Sequence, residues 1–256
     1  MIFLQFFPSL KLLMRRMWGL VWRAGAVLVV LSFALPAHGQ ANQLWPEVST
    51  YVKLNDNVRF YFLSTTVKED RESTEWEFGP NLDLFFKPLK KKPKWVVFPQ
   101  DESKSRSVMV RIGYRYISPV TGSDPGEHRG VLEVTPRYPM PHGVLLSDRD
   151  RIDFRLIGGV YSWRYRNRLT LEKVFSRGRF TAVPYVRGEV YYDSRFDKWS
   201  RTALTAGSAF PTTKHIELES YYEHQNDTSS NPNRQVNALG VVVNLYFSPW
   251  ASGKKR

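Results

Sequence analysis

The chain has 256 residues, a formal net charge of +13 and no cysteine, which excludes disulfide bridges, thiolate metal sites and a cysteine nucleophile. That length suits one fair-sized domain or two small ones. No apolar run after about residue 36 is long enough for a membrane-spanning helix. If the mature protein resides in a membrane, it does not cross it as a helix bundle.

The N-terminus has the layout of a secretory signal peptide. Basic residues precede the apolar run 25–36, and small residues flank a cleavage position before Gln40. Removing residues 1–39 takes away four positive charges, so the formal charge falls from +13 to +9. The alternative is an uncleaved anchor. Export without cysteine favours a Gram-negative envelope over a disulfide-rich secreted protein.

Period-two alternation of apolar and polar residues recurs along the mature chain, in segments separated by Gly, Pro, Asn, Asp and Ser clusters. In 75–87, for example, Trp76, Phe78 and Leu82 share one face, and Glu77 lies on the other. We predict eleven strands, at residues 44–54, 58–67, 75–87, 108–117, 129–138, 151–157, 163–174, 180–193, 199–210, 215–225 and 235–247.

Two architectures compete for these strands, a soluble lipocalin-like barrel and a transmembrane barrel with the faces exchanged. The strands are long enough to cross a bilayer, and longer connections alternate with shorter ones. Aromatic residues also gather near the strand ends, as interfacial girdles require. They are Trp45, Tyr116, Tyr138, Tyr161, Trp163, Tyr191, Tyr192, Trp199, Phe210, Tyr246 and Phe247. These features predict an all-β, antiparallel transmembrane barrel over residues 40–247, with a polar tail at 248–256.

The odd number of predicted strands conflicts with the even numbers usual in bacterial barrels. Either a strand is missed near 94–98, or one segment does not span. The stretch 87–107 is where such an error is expected, so the prediction is ten to twelve strands.

Several blocks resemble the bacterial family catalogued as domain of unknown function 2490. They are "LWPEVSTYVKLND" (44–56), "EFGPNLDLFFKPL" (77–89), "WRYRNRLTLEK" (163–173), "PYVRGEVYYDSRFDKWSRTALTAG" (184–207) and, within 217–247, "ELESYYEHQND" and "VNALGVVVNLYF". The block "EVYYDSRFDKWSR" is the most specific. The resemblance implies an exported outer-membrane β-barrel, and it implies no catalytic residue or activity.

The strand pattern turns many charges toward the lumen. The predicted lumen-lining residues are Arg111, Arg115, Arg155, Arg164, Arg166, Arg168, Arg187, Arg201, Glu133, Glu172, Glu189, Glu217, Glu219 and Glu223. Arginine suits such a wall because its planar fork bridges carboxylates on neighbouring strands. Two interpretations remain, a lumen filled by mutually satisfied ion pairs and an anion-preferring narrow pore.

An enzyme that modifies outer-membrane lipids is the alternative function. None of the histidines in the mature chain has a Ser two residues on, and His224 beside the 227–230 loop is the best remaining candidate for a base. The acidic clusters at 69–72 and 192–197 lack a recognisable calcium-ligand spacing, and we expect Asp193, Arg195 and Asp197 to order their loop. We therefore expect no catalysis, metal, cofactor or nucleic-acid partner.

The end of the last strand resembles the C-terminal signal that barrel-assembly machinery recognises. Gly240 is followed by alternating apolar residues and by Tyr246 and Phe247, although nine residues follow where such signals usually end. We expect this machinery to be the partner during insertion, and outer-membrane lipids and lipopolysaccharide to be the surroundings. The sequence gives no substrate or oligomeric state.

Overall fold

The computed structural model describes residues 40–69, 72–89, 101–120, 125–178, 180–229 and 231–248. The predicted signal peptide, the suggested strand at 94–98 and the tail from residue 249 lie outside these ranges. No helix in the described ranges is long and apolar enough to cross a membrane.

The described chain is all-β, with eleven long strands, one short strand and two short 3-10 helices. In chain order they are β1 (Gln40–Lys53), β2 (Val58–Glu69), β3 (Glu72–Pro88), η1 (Glu102–Ser105), β4 (Arg106–Pro119), β5 (Glu127–Pro139), η2 (Pro141–Gly143), β6 (Val144–Ile157), β7 (Val160–Lys173), β8 (Phe175–Arg177), β9 (Phe180–Asp193), β10 (Lys198–Pro211), β11 (Ile216–Asp227) and β12 (Arg234–Phe247). The long strands pair in sequence, and β12 pairs with β1 to close the barrel. The short β8 pairs only with the start of β9. The predicted β-barrel fold is therefore confirmed.

The closing pair differs from the antiparallel pairing predicted throughout. Strand β1 runs parallel to β12, from Gln40 opposite Gln235 to Val52 opposite Phe247. The reason is the odd number of strands: in an up-and-down barrel, the first and eleventh strands point the same way. No twelfth wall strand is needed among the described residues, because the ladder is already closed.

Each predicted strand is present, but β6 begins seven residues earlier than the predicted start at Arg151. The missed half carries Asp148 and Asp150 on the outer face, which breaks the apolar alternation. Asn167 of β7 donates to both carboxylates, at 2.8 and 3.1 Å, and the Tyr165 hydroxyl donates to Asp150 at 2.5 Å. This polar patch interrupts an otherwise mainly apolar outer surface.

The two faces of the wall differ sharply in chemistry. Outward side chains are mainly apolar, and many are exposed, such as Ile112 at 53% and Leu204 at 66%. Inward side chains include charged residues that are almost fully buried, such as Asp153 at 0% and Arg151 at 2%. A soluble barrel has the opposite distribution.

Three of the aromatic residues predicted for the girdles point into the barrel instead. Tyr191 is 4% exposed, and Tyr246 stacks on Tyr51 with ring centroids 4.9 Å apart. Trp45 packs edge-on against Tyr221 at 6.5 Å. They lie near strand ends as predicted, but their position along the strand gives them the inward parity.

The barrel has a Gln40 end, where β1 begins, and a Phe247 end, where β12 ends. The Gln40 end carries the connections β2–β3, β4–β5, β6–β7, β9–β10 and β11–β12, and the Phe247 end carries the others. All connections are short except the one between β3 and β4, which lies at the Phe247 end. The predicted alternation of long and short connections is therefore wrong.

Glycine at position 240 allows Tyr221 to lie across β12. The two residues are register partners, and a Cβ built on Gly240 would lie 2.1 Å from Cζ of the Tyr221 ring. Since real Cβ atoms do not approach a ring so closely, any side chain here displaces Tyr221.

We expect Gly240→Ala to lower the free energy of unfolding by about 1–3 kcal/mol, because the added methyl group overpacks the inner wall. The measurement is urea unfolding in detergent micelles. The matched control is Gly188→Ala on β9, where nothing lies within 4 Å of the added Cβ. Equal unfolding midpoints for the two variants would contradict the packing role of Gly240.

Candidate functional site

The structure places the charged residues predicted for the lumen at inward positions. They are Arg111, Arg115, Arg155, Arg164, Arg166, Arg168, Arg187, Arg201, Glu133, Glu172, Glu189, Glu217, Glu219 and Glu223. Each has the same parity along its strand as that strand's buried residues. Closure of the ladder therefore gathers them inside one wall.

The inward charges pair mainly between neighbouring strands. Asp83 on β3 accepts from Arg59 on β2 at 2.7 Å and from Arg111 on β4 at 2.6 Å. Glu77, also on β3, accepts from Arg115 on β4 at 2.5 Å. These pairs run along the wall, so they neutralise the charges without bridging the lumen.

One cluster of arginines surrounds Glu189 on β9. Its carboxylate accepts from Arg149 at 2.6 Å, Arg166 at 2.8 Å and Arg168 at 2.5 Å. Arg187, two residues earlier on the same strand, pairs with Glu219 at 3.1 Å. Three guanidiniums share this carboxylate, and two of them lie 3.9 Å from a second one, Arg149 from Glu133 and Arg166 from Asp153.

A second cluster, at the Gln40 end, centres on Asp193. Its carboxylate accepts from Arg155 at 3.0 Å, Arg164 at 2.7 Å and Arg195 at 2.9 Å. The backbone N–H of Arg195 also donates to it, at 3.1 Å, and Tyr192 donates to Asp197. These bonds order the β9–β10 turn. Across the described ranges, no group of three or more His, Asp or Glu residues is arranged to hold a metal ion.

Two inward arginines in this part of the wall are more exposed than two of its carboxylates. The side chains of Arg168 and Arg187 are 20% and 22% exposed, although they point inward. The carboxylates of Glu133 and Glu189 are only 2% exposed. Arg168 is therefore more exposed than Glu189, the carboxylate with which it pairs.

One part of the β3–β4 connection enters the barrel at the Phe247 end. Asp101 accepts from Arg59 on β2 at 2.7 Å, and the carbonyl of Ser103 accepts from Arg137 on β5 at 3.1 Å. Lys104 pairs with Glu172 on β7 at 2.5 Å. Residues 101–105 thus contact three strands that are not neighbours.

The charge of Asp101 is secured by these contacts. Burial alone would raise the pKa of Asp101, but the positive charges of Arg59 and Lys104 outweigh it and hold this pKa below its usual range. Asp101 therefore remains ionised at neutral pH.

Sequence reasoning missed several members of the charged interior. Arg149 lies in the unpredicted half of β6, Arg59 was assigned to a strand without a role, and Asp101 and Lys104 lie in a segment without periodicity. Only Arg59 could have been recognised from the sequence. It lies two residues before Tyr61 and four before Leu63 on the predicted strand 58–67, so it shares their inward face.

The histidine considered for catalysis is engaged in a polar contact on the outer face. Nδ1 of His224 lies 2.9 Å from the amide oxygen of Asn237, which also accepts from Tyr222 at 2.6 Å. Asp227 of the neighbouring turn points inward and pairs with Arg201. The structure therefore does not bring His224 and Asp227 together.

The residues of the suggested assembly signal have separate surroundings. Gly240 lies beneath Tyr221, and Tyr246 points inward, where its hydroxyl lies 3.3 Å from Glu217. Phe247 points outward and stacks near His215, with ring centroids 6.4 Å apart.

A closed wall, a largely apolar outer face and an ion-paired interior define a β-barrel protein with a polar lumen. The chain belongs to the family described as "Protein of unknown function (DUF2490)", which matches residues 42–236. The resemblance found in the sequence blocks is thereby confirmed, and most of β12 lies beyond the matched residues. No curated protein matches the chain.

Because three arginines converge on Glu189, we expect its removal to lower the free energy of unfolding more than the removal of Glu219. Glu189→Gln leaves Arg149, Arg166 and Arg168 without their shared counter-charge, so we expect a loss of about 3–5 kcal/mol in unfolding free energy. Urea unfolding at constant salt measures it.

Glu219→Gln is the matched control, since Glu219 pairs with one arginine and is 14% exposed. We expect it to cost less than Glu189→Gln. An equal or larger loss would show that convergence on Glu189 does not hold the wall together.

Proposed function

We propose that the protein is an integral β-barrel of the bacterial outer membrane that forms a narrow, anion-preferring pore. The observation that carries the proposal is the exchange of faces: exposed apolar side chains outside and buried, ion-paired charges inside. In water, such a surface would expose a large apolar area. In a bilayer, the same surface contacts lipid tails and the charges remain inside.

Strand length and aromatic residues support the membrane location. The wall strands have 12 to 17 residues, enough to cross a bilayer at the usual tilt. Exposed outward aromatics lie toward the Gln40 end, among them Trp76 and Trp199, and toward the Phe247 end, among them Tyr138 and Phe247. Two such levels suit the two headgroup regions.

The lining of the lumen supports anion preference. The most exposed inward charges of the Glu189 cluster are guanidiniums, and their carboxylate partners are less exposed. An anion entering the lumen meets hydrogen-bond donors first, whereas a cation meets like charge. Because the pairs run along the wall, a narrow water-accessible path fits beside them.

The remaining parts of the proposal concern export and surroundings. Residues 1–39 direct export, and the barrel-assembly machinery inserts the chain through the strand that ends at Tyr246 and Phe247. Lipids and lipopolysaccharide then surround the wall. The proposal assigns no catalytic role, because His224 contacts Asn237 and not a serine.

The exchange of faces is tested by two neighbouring substitutions on β7. Leu169 points outward and is 48% exposed, whereas Arg168 points inward. We expect Leu169→Arg to cost about 2–4 kcal/mol, because it places a charge in the hydrocarbon region. Arg168→Gln should cost less, since Glu189 retains two other arginines. Folding yield into lipid vesicles measures both. Equal yields would contradict the face assignment.

Anion preference is tested by reversal potentials in planar bilayers under a salt gradient. We expect wild type to favour chloride over potassium, and Arg168→Gln with Arg187→Gln to shift the ratio toward unity, because the exposed guanidiniums are lost. Arg106→Gln is the control, because Arg106 is the first residue of β4 and has the outward parity. A chloride preference that survives the double substitution would contradict the proposed lining.

A further inference from the structure

Residues 101–105 are placed differently from every other charged group in the described interior. The ion pairs of the wall join residues on one strand, on adjacent strands, or on strands one apart. Residues 101–105 contact Arg59 on β2, Arg137 on β5 and Glu172 on β7. A short segment that contacts such widely separated strands must lie across the opening.

We propose that residues 101–105 form a releasable plug that closes the lumen at the Phe247 end and thereby regulates the pore. The regulation of a pore rests on the proposed function. The seated position of the plug is inferred from its contacts alone.

The chemistry of the segment favours release over permanent attachment. Its residues, Asp-Glu-Ser-Lys-Ser, include no apolar side chain, so no hydrophobic burial by these side chains fixes the plug. One wall residue also keeps a partner after release, because Arg59 pairs with Asp83 as well as with Asp101. When the plug is seated, its polar contacts with the wall replace contacts with water, so the net gain in free energy is small. A segment of this kind has two accessible positions.

The backbone of the plug is held at two carbonyl groups, that of Ser103 by Arg137 and that of Ser105 by Leu89. The amide of Leu89 donates to the carbonyl of Ser105 at 3.0 Å, and Leu89 is 7% exposed. Asp101 and Lys104 hold the segment through their side chains, which pair with Arg59 and Glu172. Breaking these two ion pairs should therefore free the plug while β3 and β4 remain in place.

The first experiment compares two double variants with the same change of residue types. The plug variant is Asp101→Asn with Lys104→Met. The control is Asp56→Asn with Lys53→Met, which removes a pair at the same end of the barrel (3.0 Å) that is more exposed than the plug's pairs. Neither variant changes the net charge of the protein.

In planar bilayers, we expect the plug variant to raise the mean conductance about tenfold over wild type, since losing two charge-assisted contacts shifts the seated population by at least that factor. The control should conduct like wild type. A plug variant that conducts no better than the control would overturn the plug.

The second experiment detects the plug without relying on conduction. Ser147 on β6 is inward, 9% exposed and register partner of Arg137, which holds Ser103. Because the chain has no native cysteine, Ser147→Cys gives a single thiol on the inner wall at the level of the plug. A negatively charged methanethiosulfonate should label it about tenfold faster in the plug variant than in wild type or the control.

The two readouts separate the plug from the pore. Faster labelling without conductance in any variant supports the plug and overturns the pore. Conductance with equal labelling rates in all three proteins overturns the plug and leaves the pore. Retained heat-modifiable migration on gels checks that each variant is folded.

Discussion

Pairing of inward guanidiniums with carboxylates along the wall is the constraint on which the rest of the structure depends. A charge that leaves water without a partner costs several kcal/mol, so each strand must present its acids opposite its neighbours' arginines. Such pairing fixes the register of neighbouring strands. Asp83 lies between Arg59 and Arg111, and Glu189 lies among three arginines. Most large apolar side chains then lie on the outer face, although some, such as Leu63 and Leu145, are buried inside, and this accounts for the exchange of faces. The same pairing runs along the wall and not across the lumen, as the proposed pore requires.

The odd number of strands has consequences beyond the closing pair. It makes β1 and β12 parallel, and it places the start of β1 and the end of β12 at opposite ends of the barrel. The Phe247 end then carries the long β3–β4 connection, whose residues 101–105 occupy the opening. In this account the wall sets the chemistry of the path, whereas the connection controls access to it.

Much of the wall was predictable because alternation is a local signal. Each stretch such as 108–117 shows its two faces without reference to its neighbours, and closure then determines which face is inside. Partner choice was not predictable, since the convergence of Arg149 and Arg166 on Glu189 depends on register between strands. The start of β6 was hidden by Asp148 and Asp150 on the outer face. The plug was missed because 101–105 has no periodicity and is placed only by contacts with distant strands.

The most direct test of the account is a spin-label scan of β7 in lipid vesicles, with single cysteines at residues 168, 169, 170 and 171. The absence of native cysteine makes each label unique. The account predicts that dissolved oxygen, concentrated in the bilayer, relaxes the labels at Leu169 and Leu171 far more than those at Arg168 and Thr170. If a water-soluble nickel chelate instead reaches Leu169 and Leu171 freely, the outer face contacts water, and the proposed membrane barrel is contradicted.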